Sequence, residues 1–206
     1  AARLAALVGD AGFAAVMALD VTQSPIGDDG ARALAQSPHT GKLKSLWLDR
    51  TGITDAGAQA LGAASLPLVE LYVGYNPIGP DGLKALLAAP AADYFILRLS
   101  FTRVGDAGAA LLAQSPRLPK LQRLELTAAG LTDAGVRALL SSPGLERLDT
   151  LELGHNAAGP RAIEPLLDAD KLPALRTLDL SGVPLDAALI EQVKARRPDL
   201  DVVTGG

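Results

Sequence analysis

The sequence predicts an α/β solenoid: a right-handed, horseshoe-shaped arc of about seven stacked units, with a parallel sheet on its concave side and helices on its convex side. Three observations predict it. Aligning on L-x-x-L-x-L gives units starting at Val16, Leu43, Leu68, Tyr94, Leu121, Leu148 and Leu175, spaced by 27, 25, 26, 27, 27 and 27 residues, a self-similarity that marks stacked repeats. Each unit joins a period-2 apolar stretch to a helix signal. And 38 Leu with 37 Ala stand against only seven aromatic residues among 206, so the core must be built from aliphatic ladders. No unit of that size buries its own apolar face, which is why neighbours must stack.

The elements follow in order. Residues 1–15 read as an N-terminal helical half-unit or cap. Residues 1–8 resemble the helical half of a preceding unit, and with no initiator Met the chain is expected to be a processed or excised piece with repeats or another domain upstream. The apolar opening is broken by Asp10, so it does not read as a signal peptide. Residues 16–195 carry the seven units. Within the second, Leu46 and Leu48 point one way while Ser45, Trp47 and Asp49 point the other, which makes a short strand. The next apolar anchor (Ile26, Ile53, Ile78, Val104, Leu131, then Ala158 and Leu185) returns the chain to the core. Asp28, Asp55, Asp106 and Asp133 follow, placed to cap free N–H groups at a helix start. The pairs Ala33–Leu34, Ala60–Leu61, Ala85–Leu86 and Ala138–Leu139 form the inward helical stripe, and Ser-Pro at 37–38, 115–116 and 142–143 ends the helix. Residues 196–206 read as a Pro-stopped helix end, a capping strand and a tail.

L-x-x-L-x-L-x-x-N-x-I-x-D-x-G, best matched by LVELYVGYNPIGPDG at 68–82, resembles the leucine-rich repeat, and the period with a full helix is similar to its ribonuclease-inhibitor-like class. The resemblance spans about residues 13–203. It implies a non-catalytic protein-binding module, or alternatively a sensor, autoinhibitory or enzyme-regulatory part of a larger signalling protein. That family also includes GTPase activators, but Arg50, Arg98, Arg103 and Arg123 form no recognisable arginine finger. The motif's Asn stands only at Asn76 and Asn156. Ser24, Thr51, Thr102, Ala129 and Val183 replace it elsewhere, and the turns at Ala129 and Val183 are expected to be satisfied by water or neighbouring backbone.

Composition excludes several functions. The net charge of −4 argues against nucleic-acid and anionic-membrane partners. There is no cysteine, hence no disulfide or thiolate metal site, and no stretch reaches the length of a membrane span. The expected location is the cytoplasm. No phosphate loop, metalloprotease, nucleophile-elbow or calcium-loop motif occurs, and no cofactor, metal or catalytic residue is assigned. His155 could meet Thr127, Glu152, Asp179 or Ser181 in a triad-like set, yet an open sheet offers no closed pocket for it. The Ala-, Arg-, Asp- and Gly-rich vocabulary suggests a bacterial protein, and the irregular turns argue against an engineered array.

The functional signal lies in the outward strand positions. The fifth position runs Asp20, Trp47, Tyr72, Arg98, Glu125, Glu152, Asp179, and the eighth runs Gln23, Arg50, Tyr75, Phe101, Ala128, His155, Gly182. Trp47, Tyr72, Tyr75 and Phe101, bordered by Phe95 and flanked by Arg50 and Arg98, form a candidate docking patch of the residue types that dominate binding hot spots. Glu125, Glu152 and Asp179 fall about 5 Å apart in a parallel stack, giving a solvated acidic stripe that would orient a basic partner.

Overall fold

In the computed structural model, which describes residues 1–205, the repeats close into one eight-stranded parallel sheet backed by helices. The strands are three residues each: β1 (Ala18–Asp20), β2 (Ser45–Trp47), β3 (Glu70–Tyr72), β4 (Ile96–Arg98), β5 (Arg123–Glu125), β6 (Thr150–Glu152), β7 (Thr177–Asp179) and β8 (Asp201–Val203). They pair strictly in chain order, and the register aligns each unit's central leucine with the next: Leu19, Leu46, Leu71, Leu97, Leu124, Leu151, Leu178, then Val202. These side chains face the helices and are buried, while the residues either side of them face out.

The helices are α1 (Ala2–Gly9), α2 (Gly27–Gln36), α3 (Asp55–Ala63), α4 (Pro80–Ala88), α5 (Gly105–Ala113), α6 (Asp133–Leu140) and α7 (Ala187–Arg196). Strands sit about 4.8 Å apart and packed helices about 8–10 Å apart, so stacking the two layers bends the array with the sheet inside. A single core cluster runs from Leu4 to Val202. Phe13 and Tyr94 are its only rings; burial pushes the Tyr94 phenol far above its ordinary range, and its hydroxyl donates to Leu86 O at 3.2 Å.

The sixth unit departs from the pattern. It has only a 3-10 turn at Glu164–Leu167 where the others run a helix. Pro165 falls inside the would-be helix, where it removes an amide donor and its ring collides with the carbonyl of Arg161.

The aspartates at the helix starts act between units rather than within them. Asp28 Oδ1 accepts from Thr54 N at 2.8 Å and Gly57 N at 3.0 Å of the next unit. Asp55 does the same for Gly79 and Gly82, and Asp106 for Thr132 and Gly135. A glycine in the first turn of each receiving helix makes the approach possible: a Cβ on Gly57, Gly82 or Gly135 would sit 2.5, 2.5 or 2.3 Å from the preceding unit's carboxylate oxygen. Thr54 and Thr132 supply the local caps. For Asp28 and Asp106 burial pulls the pKa upward, but these hydrogen bonds outweigh it and hold both carboxyls below their ordinary range.

Two other expectations change. Buried small residues of the helices include Gly30 with Ala31, Gly57 with Ala58 and Gly108 with Ala109, whereas Ala33, Ala60, Ala85 and Ala138 lie only half-buried. The turn at Ala129 is satisfied by a side chain of the next unit: Asn156 Oδ1 accepts from Ala129 N and Leu131 N, both at 3.0 Å. Asn76 serves Thr51, Gly52 and Ile53 in the same way. Val183 is satisfied by backbone, donating to Leu180 O at 3.0 Å.

Candidate functional site

Sheet register places the fifth-position residues in one continuous outward row from Asp20 through Trp47, Tyr72, Arg98, Glu125 and Glu152 to Asp179. Adjacent side chains in such a row are one strand spacing apart, close enough for rings to stack. Trp47 and Tyr72 do so, with centroids 5.3 Å apart and planes 17° from parallel. Burial, with Glu70 and Glu125 nearby, pushes the Tyr72 phenol above its ordinary pKa.

The eighth position is where the chain leaves the strand, and there it turns left-handed: φ is +56° at Arg50, +55° at Tyr75, +58° at Phe101, +50° at Ala128 and +56° at His155. A repeated left-handed turn projects its side chains in a common direction at the exit edge of the sheet. Tyr75 and Phe101 stack at 4.2 Å and 9°, and the Arg50 guanidinium caps the pair 3.8 Å from the Tyr75 centroid. A groove of about 620 Å³ runs beside this stack, lined also by Pro77, Arg103 and Ala128. Phe101 is 42% exposed. Phe95 is exposed too, but it precedes β4 at the opposite edge of the sheet and stacks on neither pair.

The acidic row is not the solvated stripe its sequence suggests. Glu125 is buried, with Arg98 Nε 3.1 Å from its Oε2 and Arg123 Nε donating to its Oε1 at 2.7 Å. Arg123 also donates to Glu152. Arg98 reaches back across a whole unit to Asp49, Nη1 to Oδ2 at 3.2 Å. The crossing is possible because Gly74 lies beneath it: a Cβ there would stand 2.9 Å from Asp49 Oδ1. The result is an alternating chain of Asp49, Arg98, Glu125, Arg123 and Glu152. Its members share the residues of four units, so no single unit's sequence could reveal it. Asp49 Oδ1 is buried without a hydrogen bond, and burial, partly offset by Arg98, raises the Asp49 pKa; burial and Glu125 likewise raise that of Glu152. The two outer acids are engaged locally. Asp20 accepts from Thr22 N at 2.8 Å, and Asp179 Oδ1 accepts from Ser181 N at 2.8 Å and Ser181 Oγ at 2.6 Å.

That last bond bears on the triad-like set. The Ser181 hydroxyl gives its proton to Asp179, while the His155 ring packs over Gly182, whose added Cβ would lie 2.6 Å from Nδ1. Among the described residues no group of three or more His, Asp or Glu is placed to hold a metal ion, and no helix is long and apolar enough to cross a membrane. A second groove, of about 340 Å³, opens on the helical side between α4 and α5, lined by Leu87, Ala110 and Leu111.

Comparison with known proteins places these features in context. The family model described as "Leucine Rich repeat" matches residues 16–35, 42–62, 64–87 and 117–140. No curated protein matches the chain by sequence. Among solved structures, the chain is similar to an internalin (inlF) of Listeria monocytogenes str. 4b F2365, with a TM-score of 0.54, 18% identity, and coverage of 85% of this chain and 50% of that one. It is also similar to a chain of the yeast Rad7 and Elc1 complex, with a TM-score of 0.65, 21% identity, and coverage of 87% and 44%. The chain thus spans half or less of these two chains, and at these identities the likeness is one of fold.

Proposed function

Since the chain is a leucine-rich repeat protein, we propose that it is a non-catalytic docking module that holds a protein or peptide segment on its strand face and along the adjoining left-handed turns. Solenoids of this kind use their extended inner surfaces for binding. The carrying observation is the pair of ring stacks. Of the chain's seven aromatic residues, four are grouped in two parallel stacks on consecutive units of the outward face, with an arginine over one of them. Rings that contributed mainly to folding would lie in the core, as Phe13 and Tyr94 do. Stacking also orders the side chains before a partner arrives, which lowers the entropic cost of association. The yeast relative named above comes from a complex with another protein, which is consistent with the same use of the fold.

The test is selection of binders from a displayed random-peptide library, followed by affinity measurement against the wild type, Trp47→Ala and Tyr72→Ala. The two variants are expected to lose about 2 kcal/mol or more of binding energy while keeping the wild-type circular dichroism spectrum and an unfolding free energy in urea within about 1 kcal/mol of the wild type. Selected peptides that bind both variants as well as the wild type would remove the stacks from the account.

A further inference from the structure

The proposal above leaves the chemistry of the partner open, and the charge network narrows it. Of the fifth-row acids, Glu125 and Glu152 are held by Arg98 and Arg123, and Asp20 and Asp179 by their own turns. The two central acids of the row are therefore already paired with arginines, and the two outer ones have their oxygens turned into hydrogen bonds of their own turns. Arg50 and Arg103 are not: among the described residues neither has a carboxylate within ion-pair distance, and both are exposed along the 620 Å³ groove. No acid lines that groove, in a chain whose net charge is −4. On the side away from Arg50 the ring stack ends openly. Tyr75 covers one face of Phe101, while the next residue in the row, Ala128, is too small to cover the other.

Resting on the docking reading, we infer that the bound segment is acidic: it places an Asp or Glu carboxylate against Arg50 or Arg103 and a neighbouring flat or apolar side chain on the open face of Phe101. Guanidinium groups recognise carboxylates through paired, charge-assisted hydrogen bonds, and a guanidinium already resting on a ring keeps its edge N–H groups free to donate. The Phe101 face supplies an apolar seat in the same groove as the two arginines, so the two features together read a pattern of an acid and a nearby apolar residue in the partner.

The peptides selected above provide the experiment. Among those that lose affinity on Trp47→Ala, Asp or Glu is expected at a fixed position beside an aromatic or apolar residue. Exchanging that acid for its amide in the peptide should weaken binding to the wild-type protein on the order of tenfold. Either Arg50→Gln or Arg103→Gln should weaken the acidic peptide by a similar factor and leave the amide peptide unchanged, and an acidic peptide indifferent to both would overturn the inference. Trp47-dependent peptides that lack a fixed acid, carry a fixed Lys or Arg instead, or are indifferent to the amide exchange would overturn the inference while the docking reading stands. Absence of any Trp47-dependent peptide would overturn both. The amide exchange uses only wild-type protein, so its outcome does not depend on how a variant folds.

Discussion

Replacing Arg98 with methionine separates the charge network from the packing around it. The aliphatic part of the side chain is kept, and the guanidinium that serves Asp49 at 3.2 Å and Glu125 at 3.1 Å is lost. Glu125 retains Arg123 at 2.7 Å, so the main consequence is a stranded Asp49, whose side chain is only 10% exposed. Breaking a wholly buried ion pair costs about 3–5 kcal/mol and an exposed one about 0–1 kcal/mol. With Arg98 33% exposed, we expect roughly 2–3 kcal/mol at neutral pH, in the range between those limits. For a chain of this size the urea m-value is about 2–3 kcal/mol/M, so the unfolding midpoint followed by circular dichroism should fall by about 1 M.

The pH dependence has a definite sign. Because the folded-state pKa of Asp49 is raised, its protonated form is favoured by folding: the stability it contributes is present in acid and lost as pH rises through that value. Removing Arg98 raises that pKa further. The difference between variant and wild type should therefore be largest near pH 7 and shrink toward pH 4. Adding Asp49→Asn to Arg98→Met should recover part of the loss. A cost below about 0.5 kcal/mol at pH 7, or one that is unchanged at pH 4, would refute the reasoning.

Three further predictions concern the joints between units. Asp106→Ala removes acceptors from Thr132 N and Gly135 N; since the Asp106 pKa is depressed, its contribution exists above the ordinary carboxyl pKa and is lost as pH falls through the folded value, so the variant and wild type should converge in urea midpoint between pH 7 and pH 3. Asn156→Ala strands Ala129 N and Leu131 N together with the carbonyls of Leu126 and Leu153, and should cost roughly 3 kcal/mol, read by the same titration. Gly62→Ala puts a methyl 2.3 Å from the carbonyl oxygen of Ala85, forcing α3 and α4 apart for about 1–3 kcal/mol, whereas Gly41→Ala meets nothing within 4 Å and should leave the midpoint unmoved.

What the sequence made legible was local, and what it hid crossed from one unit to the next. The period, the strands and the Ser-Pro helix ends depend on a few adjacent residues, and all of these align with the structure: α2, α5 and α6 end at Gln36, Ala113 and Leu140, just before Ser-Pro. The outward rows could be tabulated because a parallel stack in register maps equal positions onto neighbours. Asp28 was readable as a cap but not as a cap for Thr54 and Gly57, since nothing in its own unit names the recipient. Glu125 looked solvated because its neutralising arginines come from β4 and from its own strand's first residue, and only the folded stack shows that both turn toward it. Gly74 carried no sequence signal at all, although its missing side chain is what lets Asp49 and Arg98 meet. The D-x-G of the repeat, as at Asp55–Gly57 and Asp133–Gly135, pairs an aspartate that serves the following unit with a glycine that receives the preceding unit's aspartate, a division of labour that the motif alone does not state.

The left-handed turns at the strand exits have a bearing on how this surface can change. A residue other than glycine in that conformation is disfavoured by about 1–2 kcal/mol, and the row includes Arg50, Tyr75 and Phe101 as well as Ala128. Backbone preference alone would select glycine at each of these positions, as it stands at Gly182 with φ +73°. Mutational drift toward glycine along this row would relax the chain while erasing its contacts, so selection for thermal resistance and selection for recognition would pull these positions in opposite directions. A stabilised variant library should accumulate glycine here first, and lose its ligands as it does.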